Sequence, residues 1–320
     1  MNKDHRIDID SGLSGLEGDA WFNQLEEVAE DLGYLENLGK QCAAFIDAGP
    51  KLLVTFENAD SIVARDESAE PVGFHYVREE GWSHLGLYAQ AESWYREERV
   101  YRYFDRLIDD GFFEDFEDVL FYGANSGGYA ATAYSVASPG CRVLAIRPQA
   151  TLNPQIVGFD QRYRHQRIKD FSSRYGYAPD MIDAAEHVYV AFDPTQMMDA
   201  VHAALFTKPN VTALRCNGLG NKLDRALEGI DIFDVMVRDA MSGELSKQSF
   251  SKLYRARRDY VPYLRTLYNQ TLRRDRKDLA VNVCAHALRG GHTRFFAEEF
   301  EILTQEGFAP YTPVKIKAAG

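Results

Sequence analysis

The sequence predicts an α/β protein in which a mostly parallel sheet is covered by helices on both faces. Short apolar runs typical of strands alternate with longer segments that carry apolar residues at helical spacing. The middle of the chain holds a strand–helix–strand unit, with strands at 119–122 and 141–146 and a helix that ends near Ala137. Strands connected in this way pair in parallel within one sheet. A chain of 320 residues, 45% of them hydrophobic, is long enough to bury the core of such a sheet.

Further strands and helices follow the same pattern. Bounded apolar runs predict four more strands, at 51–56, 82–88, 188–192 and 211–216. Apolar positions at helical spacing predict an N-terminal helix over 21–46 and another helix over 92–110. The segment 148–187 contains no clear strand, and we interpret it as an insertion over the sheet edge.

These elements divide the chain into three predicted parts. Residues 1–50 form a helical N-terminal segment, 51–239 the α/β domain, and 240–320 a helical extension of about three helices. The length of the chain and the extension are compatible with a homodimer. The arginines of the extension, with Arg255, Arg257 and Arg258 among them, are expected to be surface charge in an acidic protein.

Composition and charge exclude several functions. The net charge of −12 repels phosphate backbones, so nucleic-acid binding is not expected as the main function. No apolar run reaches the roughly 20 residues that span a bilayer. The first residues are polar and lack the apolar core of a signal peptide, which predicts a cytoplasmic protein. The four cysteines are scattered without a C-x-x-C pair, so neither a disulfide framework nor a zinc site is indicated.

The most informative segment is the turn after the central strand, which reads GANSGGYAA. A sharp turn between a strand and a helix leaves no room for side chains two residues before and two residues after its nucleophile. Ala124 and Gly128 meet this requirement around Ser126, which makes Ser126 the candidate nucleophile. A second frame, G-x-N-x-G at 123–127, would place Asn125 there, and an amide is not a nucleophile.

This turn resembles the nucleophile elbow of the α/β-hydrolase superfamily. The run SGGYAA from Ser126, with Pro148-Gln149 after the next strand, is similar to a bacterial subgroup often linked to glycan handling. The resemblance covers roughly residues 51–221. It implies an α/β-hydrolase-like fold and an esterase or acyl-transfer enzyme that acts on a small-molecule or glycan-type ester. The sequence contains no H-x-x-E-H or H-E-x-x-H spacing, so a metal centre is not indicated, and no cofactor is expected.

An enzyme of this kind needs backbone donors for the oxyanion of its intermediate. The N–H of Gly127, at the start of the helix, is the first candidate because helix N-terminal donors and the helix dipole favour negative charge. The second donor is expected from the segment 55–58, which follows the predicted strand from Lys51 to Thr55 and contains Phe56.

A catalytic triad in this superfamily also needs an acid and a histidine, which follow the serine in that order. Asp193 and Asp199 both follow the strand at 188–192, and the sequence leaves the choice between them open. The histidine is expected in the loop after the next strand, but Asn221 occupies that position. An amide cannot accept the serine proton.

His292 is the remaining candidate base. It lies on a turn of the extension, after Gly290-Gly291, and would have to fold back over the sheet to reach Ser126. Because this glycine pair is typical of a turn between helices, we expect His292 to lie away from the serine. His202 is the other histidine available, and it is expected to be either on the surface of a helix or packed against the protein.

Three other interpretations remain open. Without a histidine, the protein is a catalytically inactive member of the fold that uses the same cleft for binding. The glycine-rich turn also resembles that of short-chain dehydrogenases, in which Arg147 would meet the 2′-phosphate of NADP. Finally, Ser126 is equally suited to capping a helix, and Asp193 and Asp199 to helix N-termini.

Overall fold

The computed structural model describes residues 7, 9–292 and 294–311. It contains an eight-stranded sheet with the strand order β1-β2-β4-β3-β5-β6-β7-β8. The strands are β1 (Gly33–Asn37), β2 (Gln41–Ile46), β3 (Lys51–Asn58), β4 (Ser83–Ala89), β5 (Asp118–Ala124), β6 (Arg142–Ile146), β7 (His187–Phe192) and β8 (Val211–Arg215). Strand β2 is antiparallel to both neighbours, and the remaining pairs are parallel.

Helices cover both faces of this sheet, and further helices form the C-terminal extension. They are α1 (Gly18–Leu32), α2 (Ala59–Val63), α3 (Val72–Glu80), α4 (Glu98–Asp109), α5 (Ser126–Tyr134), α6 (Pro154–Val157), α7 (Met197–Ala204), α8 (Leu223–Gly229), α9 (Phe233–Met241), α10 (Lys247–Leu253), α11 (Val261–Arg273), α12 (Lys277–Arg289) and α13 (Arg294–Gln305). Within the described residues, no helix is both long and apolar enough to cross a bilayer.

Alternate residues of β5 show how the two faces are filled. Phe121 joins the cluster that contains Phe104 of α4 and Tyr134 of α5. Tyr122 points to the opposite face, where its ring centroid lies 5.3 Å from that of Phe233 in α9. A parallel strand buried on both faces is apolar throughout, which is why the sequence analysis finds it easily. The predicted α/β fold, with the strands at 119–122 and 141–146 in parallel, is confirmed.

The predicted N-terminal helix over 21–46 is wrong beyond Leu32. Residues 33–46 form β1 and β2, so the first 50 residues are not a purely helical segment and the sheet begins within them. Every residue of β2 is buried, and such a run does not show whether it is helix or strand. Gly33 allows the close approach of β1 to β2, because a Cβ there would lie 2.1 Å from the carbonyl oxygen of Phe45.

The predicted helix over 92–110 begins later than expected. Trp94 and Tyr95 have φ values of 57° and 54°, and α4 starts only at Glu98. Both aromatic side chains are buried in the core. The segment 148–187 contains α6 and short 3-10 turns and, as predicted, no strand before β7 begins at its last residue, His187. It packs on α5 through a hydrogen bond from Tyr129 to the carbonyl of Tyr175.

The helical extension is present, with α10 to α13 and a 3-10 turn at 254–259. Helices α11 to α13 share a core of their own that includes Leu264, Cys284 and Phe296. The four cysteines are buried and unpaired, as the sequence predicts.

Candidate functional site

The turn between β5 and α5 is centred on Asn125. This residue has φ 55° and ψ −119°, while β5 ends at Ala124 and the helix begins at Ser126. Such a backbone conformation is sparsely populated for residues other than glycine and costs about 1–3 kcal/mol. A strained residue on a sharp strand-to-helix turn is the geometry of the α/β-hydrolase nucleophile. The structure therefore places Asn125, and not Ser126, in the strained position.

Two glycines explain this placement. A Cβ on Gly123 would lie 2.1 Å from the carbonyl oxygen of Gly127, and a Cβ on Gly127 would lie 2.1 Å from the carbonyl oxygen of Phe56. The positions that must be free of side chains are therefore two before and two after Asn125. The sequence analysis placed this requirement on Ala124 and Gly128, one residue too late.

The turn opens into a pocket of about 330 Å³, which we call the elbow pocket. Asn125 and Ser126 both line it. Its other polar and aromatic lining residues include Asn58, Ser61, Tyr95, Tyr122 and Tyr163. The charged residues in its lining are Glu57, Arg65, Glu92, Arg147 and Asp224.

Both arginines at the elbow pocket are paired with carboxylates. Arg65 Nη2 lies 3.0 Å from Glu57 Oε2, and its Nε lies 3.5 Å from Glu228 Oε1. Arg147 donates through Nε to Asp199 Oδ2 at 2.7 Å and through Nη1 to the carbonyl of Asn221. Paired cations of this kind add little net charge to the pocket.

Asp199, one of the two candidate acids, belongs to a buried ion network. In addition to Arg147, Arg162 Nη1 lies 2.5 Å from Asp199 Oδ1, and the aspartate side chain is fully buried. Arg162 also contacts Asp160 Oδ2 at 2.7 Å. Burial alone would raise the pKa of Asp160, but hydrogen bonds from Arg162 lower it on balance. Each carboxylate oxygen of Asp199 therefore accepts a hydrogen bond from an arginine, Oδ2 from Arg147 and Oδ1 from Arg162.

Asp193, the other candidate acid, is hydrogen-bonded to the loop after β8. Its Oδ2 accepts hydrogen bonds from the backbone N–H groups of Gly218 at 3.0 Å and Gly220 at 2.7 Å. Its Oδ1 accepts from the N–H and the hydroxyl of Thr195. The carboxylate thus contacts the loop in which the sequence analysis expected a histidine, but it contacts the backbone of that loop.

The candidate base His292 lies in the extension. Its Nε2 is 2.9 Å from the carbonyl oxygen of Asp259 and must carry the proton, because a carbonyl only accepts. His202 is fully buried, with Nδ1 accepting from the N–H of Ala150 and Nε2 bonded to Asp160. Burial lowers the pKa of His202. Of the described residues that line the elbow pocket, none is a histidine.

The two candidate oxyanion residues lie side by side. Gly127 is in the first turn of α5, where backbone N–H groups have no acceptor within the helix. Phe56, however, is not in a loop, because β3 continues to Asn58 and pairs Phe56 with Leu87 on one side and Gly123 on the other. Its ring packs in the core. The segment expected to follow the strand is therefore part of the strand.

The sequence analysis missed two features of this site. It rejected Asn125 on chemical grounds, although the G-x-N-x-G frame at 123–127 was the signal that could have identified the strained residue. It did not find Arg65, which lies 60 residues before the turn and has no local pattern that connects it to the site.

Comparisons with known proteins give only distant structural similarities. No family model matches the chain, and no curated protein sequence matches it. A putative thioesterase from Silicibacter sp. TM1040 is similar in structure, with 15% identity, a TM-score of 0.44 and coverage of 73% of this chain and 97% of that chain. The capsule O-acetyltransferase of Neisseria meningitidis serogroup A gives 12% identity, a TM-score of 0.42 and coverage of 71% and 99%.

A carboxyl esterase from the fungus Tuber melanosporum gives 13% identity, a TM-score of 0.39 and coverage of 69% of this chain and 83% of that chain. Similarities of this strength do not identify a homologue. The functional interpretation therefore depends on the residues of this chain. Its sheet and its strained turn define an α/β-hydrolase-like fold.

Proposed function

We propose that this protein binds a polar, uncharged ligand in the elbow pocket and does not hydrolyse it through a serine–histidine–acid triad. The observation that carries the proposal is Asn125, an amide in the strained position of the turn. A side-chain amide is neither a nucleophile nor a base at neutral pH. The candidate acids Asp193 and Asp199 are engaged by backbone N–H groups and by arginines, respectively.

The chemistry of the pocket favours a ligand with several hydroxyl groups. Asn125 Oδ1 is buried and has no hydrogen-bond partner among the described residues, so the amide can accept from a ligand. Tyr163, which is half-buried, supplies aromatic surface to the same pocket. Because Arg65 and Arg147 are already paired, an anion would gain little there. A sugar, or a glycan-type ester bound without cleavage, fits this combination.

A second candidate function is the esterase that the sequence analysis predicts. It is favoured by one observation, which is that Ser126 also lines the pocket at the N-terminus of α5. In that function Gly127 would donate to the oxyanion, and Asp193 or Asp199 would be the acid. The base would have to come from outside the pocket lining.

Labelling by a fluorophosphonate probe separates the two functions, because the probe reacts with an activated serine. We expect no labelling of the protein at neutral pH. Asn125→Ser, which puts a hydroxyl in the strained position, should not be labelled either, because none of the described residues that line the pocket is a histidine that could activate it. Labelling of the unmodified protein that is lost in Ser126→Ala would contradict the binding function and support the esterase.

Binding is tested directly by calorimetry with a panel of monosaccharides and O-acetylated monosaccharides. We expect Asn125→Gly to weaken binding about tenfold or more, because it retains the turn and removes one buried hydrogen bond worth about 1–3 kcal/mol. Asn217→Ala, which removes an exposed amide that does not line the pocket, should leave binding unchanged. No binding by any member of the panel would contradict a sugar ligand.

A further inference from the structure

A second pocket, of about 600 Å³, lies at the edge of the sheet beside β8, and we call it the β8 pocket. Ala213 and Arg215, two residues apart on the same face of the strand, form one wall. Residues of α10 and of the 3-10 turn at 254–259 form the rest. It shares no lining residue with the elbow pocket.

The β8 pocket is lined by five cations and no carboxylate. They are Arg215, Lys247, Arg255, Arg257 and Arg258. Among the described residues, none of the five has a carboxylate oxygen within 4.0 Å. The chain has 48 acidic residues and 36 basic ones, so unpaired cations in one place are unexpected.

Local geometry holds one of these cations in place. The guanidinium carbon of Arg257 lies 4.3 Å from the ring centroid of Tyr254 and 5.3 Å from that of Tyr263. Its Nη1 donates to the carbonyl of Tyr254 at 2.7 Å. Its Nε is buried and has no acceptor among the described residues. A cation fixed between two aromatic rings loses less side-chain entropy when an anion binds.

Grouping like charges has an energetic cost that an anion removes. Neighbouring unit charges of like sign repel each other, and five charges make ten pairs. Salt reduces this repulsion at exposed positions. A monovalent anion would offset only part of it, whereas a ligand with several negative charges offsets more.

From these observations we infer that the β8 pocket binds a small molecule that carries two or more phosphate groups. Four of the five cations are arginines, whose planar guanidinium groups bind phosphate oxygens through two parallel hydrogen bonds. The volume of about 600 Å³ is within the range of pockets that hold small ligands. The site is independent of the ligand in the elbow pocket.

Isothermal titration calorimetry with inorganic triphosphate tests this inference. We expect binding that weakens about 100-fold or more in the double variant Arg255→Gln/Arg258→Gln, because two groups that donate charged hydrogen bonds to the phosphates are removed. The control is Arg273→Gln/Arg274→Gln, which removes the same charge from exposed residues of the extension that do not line the pocket. The control should bind triphosphate within about twofold of the original protein.

Three results would overturn the inference. The first is no binding of triphosphate at millimolar concentration, and the second is an equal loss in both double variants, which would indicate only general electrostatic attraction. The third is tighter binding of a single-stranded oligonucleotide than of triphosphate, which would indicate a nucleic-acid surface. Circular dichroism of each variant shows whether the fold is retained.

Discussion

The arginines of the elbow pocket and of the β8 pocket differ in whether they are paired with carboxylates. At the elbow, Arg65 and Arg147 each contact a carboxylate, and the side chains of Arg147 and Asp199 are 9% and 0% exposed. At β8, Arg215, Arg255 and Arg258 are exposed and have no carboxylate partner among the described residues. The same residue type therefore supports structure in one place and remains available to a ligand in the other.

This difference has a consequence for substitution experiments. Removing one partner of a buried ion pair leaves the other charge buried and uncompensated, which is strongly destabilising. Removing an exposed, unpaired cation changes the free energy of unfolding little, but it weakens the binding of an anionic ligand. Substitutions at the elbow pocket should therefore change mainly the free energy of unfolding, and substitutions at the β8 pocket mainly the affinity for a ligand.

The largest effect is expected from Asp199→Asn. This variant leaves Arg147 and Arg162 without their shared carboxylate, and we expect the free energy of unfolding to fall by about 3–5 kcal/mol. Urea denaturation measures it. Asp183→Asn is the control, because Asp183 pairs with Lys208 at 2.7 Å but its side chain is 65% exposed. A loss of less than about 1 kcal/mol in Asp199→Asn would show that the network does not stabilise the elbow.

A smaller effect is expected from Gly127→Ala. The added Cβ would meet the carbonyl oxygen of Phe56 at 2.1 Å, so the turn must shift, and we expect a loss of about 1–3 kcal/mol. Gly290→Ala is the matched control, because its Cβ would make only ordinary contacts, the nearest at 3.4 Å, and its φ is −80°. Equal stability of the two variants would contradict a turn centred on Asn125.

The parallel strands could be predicted from the sequence because their signals are local. Val119 to Tyr122 is a run of apolar residues between a polar segment and a glycine, and no partner is needed to recognise it. Strand β2 was missed for the opposite reason. Its six buried residues are compatible with a helix or a strand until their neighbours β1 and β4 are known.

The site was predicted less well because its contacts are distant in sequence. Arg65 meets Glu57 nearby but also Glu228, and Arg147 meets Asp199 and Asn221. No spacing rule connects such residues. The frame of the turn was ambiguous for another reason, since GANSGG contains two sets of small residues one position apart, and only the backbone contacts of Gly123 and Gly127 decide between them.

Acid pH provides a third test, because the core beneath the elbow contains a neutral histidine. His84 Nε2 lies 2.9 Å from Thr55 Oγ1, which also contacts Glu57 at 3.1 Å. Burial lowers the pKa of His84 from its usual 6.5 to about 3. Between these values the unfolded chain binds a proton that the folded protein excludes, so stability is lost as pH falls below about 6.5, by about 1.4 kcal/mol per pH unit.

Denaturation between about pH 6 and pH 4 measures this loss. Carboxylates contribute to the same pH dependence, so the contribution of His84 is the difference between the protein and His84→Gln, which should have a smaller slope. His75→Gln is the control, because His75 has a side chain that is 51% exposed. The expectation fails if His84→Gln and His75→Gln have the same slope as the original protein.

The smallest effect is expected at the β8 pocket. Arg255→Gln/Arg258→Gln should change the free energy of unfolding by no more than about 0.5 kcal/mol without phosphate, and any change should be a stabilisation at low salt, because repulsion between neighbouring cations is reduced. Added triphosphate should raise the melting temperature of the original protein but not that of this variant, since a ligand stabilises only the state that binds it. A loss comparable to that of Asp199→Asn would mean that these arginines support the fold, and the contrast between the two pockets would then fail.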